Sequence, residues 1–304
     1  MKGIVLAGGS GTRLAPLTWT VCKQLLPVYD KPMLYYPICT LMQAGVREIC
    51  VISTPTDLPI MKRVLRSGEQ WGLRFEFREQ AEPKGIAQAL LIAEDFIGNQ
   101  SEALILGDNL FLSPVMEEIL SNPRTSQTGL TMFAHERGDP KQHGIFEFDS
   151  AGTLTTLREK PGVAKAPWAA TGLYLYDSNA VQIAKSITPS SRGELEITDV
   201  NLRYMASGRL KALRLPAGAV WYDAGTPDSL KSAADYVKSF QDNSGSYIGC
   251  PEEIAFAAGW IGSSELEIAR RSMSKSPYGE HLERLLKWGP RKVPVGGTNL
   301  ELFS

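Results

Sequence analysis

The sequence predicts an α/β fold, a parallel, doubly wound sheet flanked by helices, with a small helical appendage at the end. Three observations carry this. Short apolar runs rich in branched residues alternate with helix-period segments through the first half. The first run, Ile4-Val5-Leu6-Ala7, flows directly into the glycine cluster Gly8-Gly9-Ser10-Gly11. Beyond Asp228 the pattern is almost wholly helical.

The elements follow in order. Residues 32–45 read as a helix whose Leu34, Ile38, Leu41 and Met42 share a face, with Gly45 as its stop. Glu48 to Ser53 reads as a buried strand. Asp57 is placed to cap a helix with Ile60, Met61, Val64 and Leu65 inward, ending near Gly68. Leu73, Phe75 and Phe77 alternate with charged residues, the mark of a half-exposed strand. Ile86 to Ile97 reads as one apolar helix stopped by Gly98, and Ala103 to Leu106 as a short strand ending in Gly107-Asp108-Asn109. Ser113-Pro114 opens a helix, cap then first-turn proline, and Gly129 to Ala134 is a strand. Residues 144–148 and 153–159 flank Asp149-Ser150-Ala151-Gly152 as a hairpin. A strand at Trp168 to Tyr176, helices near 179–187 and 197–207, and a strand at Lys211 to Leu215 lead to Trp221-Tyr222-Asp223. Helical patterns then cover 228–240, 265–271 and 280–286, and residues 293–304 show little periodicity.

Composition narrows the function. The 304 residues are 43% hydrophobic and 21% charged, with formal net charge −1, so there is no electrostatic footprint for nucleic acid or an anionic membrane. No apolar run approaches a membrane span or a signal-peptide core, and a cytoplasmic location is the expectation. The four cysteines, Cys22, Cys39, Cys50 and Cys250, make no C-x-x-C pair and read as reduced, mostly buried thiols. His135, His143 and His281 are scattered, which argues against a histidine metal site or a Ser-His-Asp triad.

The glycine cluster is where chemistry first shows. Glycines let backbone N–H groups approach an anion, so the turn can cradle phosphates, and Arg13 adds the charge that polyphosphate chemistry needs. A Walker loop is excluded, since no lysine follows Gly11 in the required place. The dinucleotide G-x-G-x-x-G pattern fits Gly9 and Gly11 but then meets Leu14. Taken alone, the stretch is either a phosphate cradle or a glycine-rich structural turn. In open α/β sheets ligands sit beyond the carboxyl ends of the strands, where this loop and Asp108 should meet, with Asp223 as a second carboxylate. Two carboxylates plus phosphate oxygens suit Mg²⁺, although an Asp beside Gly or Asn is also common in plain turns. Lys23 and Lys160 are candidate phosphate cations, and Glu159 beside Lys160 suits a sugar phosphate: a carboxylate for hydroxyls, an ammonium for the phosphate.

These residues, taken with their neighbours, resemble the bacterial glucose-1-phosphate thymidylyltransferases over nearly the whole chain. The resemblance rests on LAGGSGTRL from Leu6, KQLLP from Lys23, DKPMLYYP from Asp30, ISTP from Ile52, QWGL from Gln70 and LGDN from Leu106. It continues through EKP from Glu159, TGLYLYD from Thr171, RGELEITD from Arg192 and CPEEIAF from Cys250. It implies a Rossmann-like nucleotide-diphospho-sugar transferase fold, a mixed, mostly parallel central sheet flanked by helices. Residues 1–240 would form the nucleotidyltransferase domain, its nucleotide half about 1–136 and its sugar-phosphate half about 137–240, followed by the appendage 241–292 and the tail 293–304.

The resemblance further implies an in-line, Mg²⁺-assisted attack of glucose 1-phosphate on the α-phosphorus of dTTP, giving dTDP-glucose and pyrophosphate. That is the first step toward dTDP-rhamnose and other deoxysugars, in an enzyme that is commonly a homotetramer. By position, Leu6, Gly8, Gly9, Gly11, Thr12, Arg13 and Gln24 would hold the nucleotide, and Gln80 with Gly85 would read the pyrimidine. Arg13, Lys23, Asp108 and Asp223 would be catalytic, the two aspartates as metal ligands. Asn109, Gly144, Glu159, Lys160, Thr171, Tyr174 and Arg192 would line the sugar-phosphate site.

Departures from the family's pattern matter too. Relatives usually have Pro-Asp-Gly where this chain has Pro83-Lys84-Gly85, which puts a positive charge near the base site. Leu112-Ser113-Pro114 replaces a common aromatic-Gly-His run, and Ala217 and Ala257 stand where many relatives have arginines. In the family that surface binds dTDP-rhamnose at a second, regulatory site, so feedback inhibition is expected to be weakened or absent. UTP or CTP use on the same sugar phosphate, or a non-catalytic nucleotide-sugar-binding subunit, are the competing readings.

Overall fold

Central to the sheet is β1 (Lys2–Leu6), whose Ile4 and Val5 are fully buried on opposite faces. The computed structural model describes residues 1–9, 11–113, 115–121, 128–137, 143–160 and 166–290; Ser10, Pro114, Pro161 and the tail 293–304 named above lie outside the described residues. After β1 come β2 (Pro27–Val28) and β3 (Lys31–Pro32), a small antiparallel hairpin, then α1 (Tyr35–Gln43), β4 (Glu48–Ser53), α2 (Leu58–Leu65) and β5 (Arg74–Glu79). Next are α3 (Gln88–Ile92), α4 (Glu94–Ile97), β6 (Glu102–Leu106), β7 (Asn109–Phe111), α5 (Val115–Ser121) and β8 (Leu130–Glu136). β9 (Ile145–Phe148), β10 (Leu154–Arg158), β11 (Trp168–Tyr176), α6 (Ala180–Ser186), α7 (Ile197–Ala206), β12 (Leu210–Arg214) and β13 (Trp221–Asp223) complete the sheet region. The chain closes with α8 (Pro227–Ser244), α9 (Pro251–Ala257), α10 (Ser263–Ser272) and α11 (Pro277–Trp288).

The main sheet has nine strands. β5, β4, β1 and β6 are parallel neighbours in that order, joined by strand–helix–strand connections. β11 then enters antiparallel to β6, and β8 lies along its other edge with β12 parallel beyond. The sheet is therefore mixed, parallel from β5 through β6 and antiparallel where β11 joins. Both faces are covered, as parallel strands require. Leu34 at the N-cap of α1, Ile38 and Leu41 within it, Met61 of α2 and Ile119 of α5 pack with Val5 and Ile105 on one face. Leu90 of α3, Phe96 of α4, Val181 of α6 and Val200 of α7 pack with Ile4 and Leu104 on the other. Each such fully buried side chain contributes about 1.5–3 kcal/mol, so a sheet filled on both faces is a stiff platform for what its ends carry.

Some expectations need correction. The helix expected from Pro32 starts at Tyr35, because Lys31–Pro32 is held in the hairpin and Leu34 N–H donates to Gln24 O at 2.9 Å. Asp57 makes no side-chain cap; its carboxylate instead accepts from Thr54 Oγ1 at 2.7 Å. The single helix 86–97 is two, broken at Ala93. α8 runs unbroken across residue 240, and α9 was not expected as a helix. The four cysteines are free and buried. Among the described residues no helix is long and apolar enough to cross a membrane.

Candidate active site

Because β1, β4, β5 and β6 run parallel, their carboxyl ends open on one edge, where their following residues converge. Leu6 ends β1 and its carbonyl accepts from Gly107 N–H at 2.9 Å, so the glycine loop and the turn carrying Asp108 start side by side. Ser53, at the end of β4, donates from Oγ to Ala7 O at 2.9 Å. Gly11, at φ 63°, turns the chain into a single 3₁₀ turn, Thr12–Leu14. Leu14 is fully buried and anchors that turn, which leaves Thr12 and Arg13 exposed.

Side chains of the candidate site border the loop. A Cβ on Gly8 would lie 2.4 Å from Gln80 Oε1, and one on Gly9 would lie 3.5 Å from the end of Lys23. Lys23 reaches across to form an ion pair with Asp108, a carboxylate only 7% exposed that also accepts from Asn109 Nδ2 at 3.2 Å. Beside this pair, Gln24 is buried, and among the described residues its Oε1 has no hydrogen-bond partner.

Asp223 is delivered by a short ribbon. β13 pairs antiparallel with β7, placing Asp223 opposite Asn109, and Ala224 N–H donates to Asp108 O at 2.9 Å. Asp223 Oδ2 lies 3.4 Å from His143 Nε2, a contact short of an aligned hydrogen bond, and 4.0 Å from Arg13 Nη2. Burial alone would raise the Asp223 carboxyl, but His143, Arg13 and Lys23 together hold it below the ordinary carboxylate value. Gly225 lies close beneath the Arg13 guanidinium, 2.5 Å from where its Cβ would stand, so any side chain there would have to displace Arg13. Two carboxylates from adjacent strand ends are a hard-oxygen donor set, and they fit a small divalent cation that also takes phosphate oxygens.

Asn109 ties this centre to the second half. Its Oδ1 accepts from Gly172 N–H at 2.8 Å and from Trp221 Nε1 at 2.9 Å. The β11–β8 register shifts between Ala170 and Tyr174, and Thr171 in that interval is fully buried, its Oγ1 without a partner among the described residues. Ala170 N–H donates to Gly144 O at 2.7 Å, and Glu159 Oε2 would lie 3.7 Å from a Cβ on Gly144. Thr198 Oγ1 donates to Glu159 Oε2 at 2.6 Å, while Lys160, held at φ 35°, keeps its ammonium 3.5 Å from the other carboxylate oxygen. Tyr174 is buried on the same strand; burial first and the Glu159 charge second push its hydroxyl up.

Gly85 stands at φ 98°, where a Cβ would lie 2.3 Å from Leu195 O. Lys84 is exposed and its ammonium pairs with Glu82 at 2.7 Å, which offsets the charge that distinguishes this turn. Arg192 is the outlier among the expected residues: half exposed, it donates to both Glu196 oxygens at 2.8 and 3.0 Å and sits 3.4 Å from Glu194. His143, Thr198 and Trp221 adjoin the site without having been expected there. Their partners are remote in sequence, and a lone histidine before a hairpin carries no local signal.

A family model described as nucleotidyl transferase matches residues 2–239. A glucose-1-phosphate thymidylyltransferase of Neisseria meningitidis is 46% identical over 287 residues, covering 94% of this chain and 100% of the relative. One from Mycobacterium tuberculosis is 45% identical over 287 residues, covering 94% of this chain and 99% of the relative. Among solved structures, one named for a glucose-1-phosphate thymidylyltransferase of Bacillus anthracis, in complex with sucrose, aligns with TM-score 0.72 and 37% identity, over 78% of this chain and 94% of that one. A UDP-glucose pyrophosphorylase complexed with UDP-glucose aligns with TM-score 0.66 and 25% identity, over 78% of this chain and 98% of that one.

Proposed function

The chain belongs to the nucleotidyl transferase family, among its glucose-1-phosphate thymidylyltransferases, and from that premise we propose that it transfers thymidylyl from dTTP to glucose 1-phosphate. The observation that carries the reading is the meeting, at one sheet edge, of the glycine loop, the Lys23–Asp108 pair and the Arg13–Asp223–His143 group. Backbone N–H groups of Gly8, Gly9 and Gly11 receive the triphosphate, and Thr12 and Arg13 face it from the anchored turn. Gln80 and Gly85 take the pyrimidine. Glu159, Thr171, Tyr174 and Gly144 line the glucose side, with Lys160 and Arg192 as its cations.

A phosphate oxygen of glucose 1-phosphate forms a bond to the α-phosphorus as the bond from that phosphorus to the bridging oxygen breaks. The electron pair leaves with pyrophosphate, and the Arg13 guanidinium meets the charge that builds there. Lys23 faces the transferred phosphoryl group. No general base is required, since the attacking phosphate is already an anion. Asp108 and Asp223 would hold Mg²⁺, which when bound neutralises phosphate charge and polarises the phosphoryl group. Pyrophosphate release with glucose 1-phosphate, measured side by side for dTTP, UTP, CTP and ATP, tests the reading. dTTP should be turned over best, with UTP, which lacks the methyl and adds a 2′-hydroxyl, behind it; the methyl by itself supports only modest discrimination. Silence with every nucleotide would overturn it in favour of a non-catalytic subunit.

Feedback inhibition by dTDP-rhamnose is expected to be weak. Ser113 and Ala257 both line a cavity of about 800 Å³ between α1 and α9, and Ser113 Oγ donates at 3.0 Å to Gly218 O, next to Ala217. Among the described lining residues the charged ones are Glu117, Glu118 and Glu253, with no Lys, Arg or His, so a diphosphate meets like charge there. Titration with dTDP-rhamnose should leave the rate nearly unchanged; strong inhibition from a site distinct from the active one would sink this expectation.

A further inference from the structure

At the base end of the cleft, two glutamine amides are locked in one sense. Gln88 Oε1 accepts from Lys84 backbone N–H at 3.1 Å, and a backbone N–H can only donate. The atom of Gln88 at that point is therefore oxygen. The same oxygen accepts from the Gln80 side chain at 2.8 Å, so the Gln80 atom facing it must be the NH₂ group. A second backbone group agrees: Gln80 Nε2 also lies 3.4 Å from Gly85 O, which can only accept. Turning the Gln80 amide over would set its oxygen against two acceptors at once.

The consequence is that Gln80 Oε1 points away from this turn and toward the loop. It would lie 2.4 Å from a Cβ on Gly8, and among the described residues no donor reaches it. Gln80 itself is 5% exposed, and its backbone N–H donates to Ser53 O at 2.8 Å, so the side chain leaves from a fixed point. A buried, oriented acceptor facing a nucleotide cleft calls for a donor on the base. At ring position 3, thymine and uracil carry an N–H, whereas cytosine carries a lone pair.

We propose that Gln88 is a positioning residue that holds the Gln80 amide with its oxygen toward the base, and so selects pyrimidines with an N3–H over cytosine. The proposal rests on the reading of Gln80 as part of the base site. Gln88 is half-buried and contacts the base only through Gln80. Lys84, the residue that departs from the family's pattern, contributes through its backbone, so the change of side chain leaves the lock intact.

The test is kcat/KM for dTTP, dUTP and dCTP, at saturating glucose 1-phosphate, in the wild-type enzyme and three variants. Wild type should accept dTTP and dUTP and discriminate against dCTP. Gln88→Leu frees the Gln80 amide to turn, so the dTTP-to-dCTP ratio should fall by about tenfold or more, mostly through KM for dTTP. Gln88→Glu keeps an acceptor for both donors and should restore the wild-type ratio, which a merely structural role would not do. Gln80→Ala should erase the preference. If Gln80→Ala erases it and Gln88→Leu leaves it intact, Gln88 does not position the amide and the proposal falls. If Gln80→Ala itself leaves the ratio unchanged, the base-site reading fails and takes the proposal with it.

Discussion

At the amino end of β6, Glu102 is sealed from solvent and, among the described residues, neither of its carboxyl oxygens has a hydrogen-bond partner. Just past the carboxyl end of the same strand, Asp108 is almost as buried but pairs with Lys23 and accepts from Asn109. The two acids share a strand and differ in company. Burial, with Asp177 adding, pushes Glu102 up to about 9, so at neutral pH it is an uncharged core residue. Asp108 sits where the loops bring Lys23 to it, at the end of the sheet where open α/β folds place their ligands. What separates a structural acid from a candidate catalytic one here is which end of the sheet it occupies.

Exchanging each acid for its amide should expose that difference. Asp108→Asn keeps the shape and removes the charge, and turnover should fall on the order of 10³-fold with the fold intact. Near-normal rates in Mg²⁺ would remove Asp108 from the metal site. Glu102→Gln should act on stability alone. Glu102 binds its proton more tightly folded than unfolded, where its value is near 4.5, so it weakens the fold as pH rises from about 4.5 toward 9. The variant should lose that slope and gain up to about 4 kcal/mol over wild type between pH 5 and pH 8, since each pKa unit corresponds to about 1.4 kcal/mol. Denaturant melts at the two pH values check this; an equal gain at both would mean the carboxyl is charged in the fold. Arg13→Ala is the smallest change of the three. Its side chain is 53% exposed and its contact with Asp223 is long, so stability should hold while kcat drops by about 10²-fold. A KM for glucose 1-phosphate that rises in step with the loss of kcat would move Arg13 off the leaving group.

Legibility in the sequence followed chain locality. Glu48–Ser53 and Trp168–Tyr176 are read with their true limits because each is a continuous run of branched, aromatic or small residues bounded by a change of pattern. The break at Ala93 is invisible to periodicity, since alanine favours helix and is buried on both readings. α9 is seven residues long and carries a buried Glu252 that accepts from Trp71 Nε1 at 2.9 Å, a tertiary partner no window could supply. β7 and β13 have three residues each, too few for any period to register. At the site, Asp108 and the glycine loop are legible as strand-end residues. The contact of His143 with Asp223, and the locked amides of Gln80 and Gln88, exist only once distant turns have met.

The three-residue ribbon of β7 and β13 also sets a schedule. Synthesis presents the chain from its amino end, so the glycine loop, Lys23 and Asp108 are all in place before Trp221 to Asp223 has been made. Joining the ribbon closes a long loop, whose entropy must be met before its contacts give anything back. A shortened chain ending before the ribbon thus holds one carboxylate, a cation and a cradle, without the partner that completes them. A chain cut before residue 221 should therefore show no turnover even where the glycine loop and Asp108 have folded, which a pyrophosphate-release assay on the shortened chain checks.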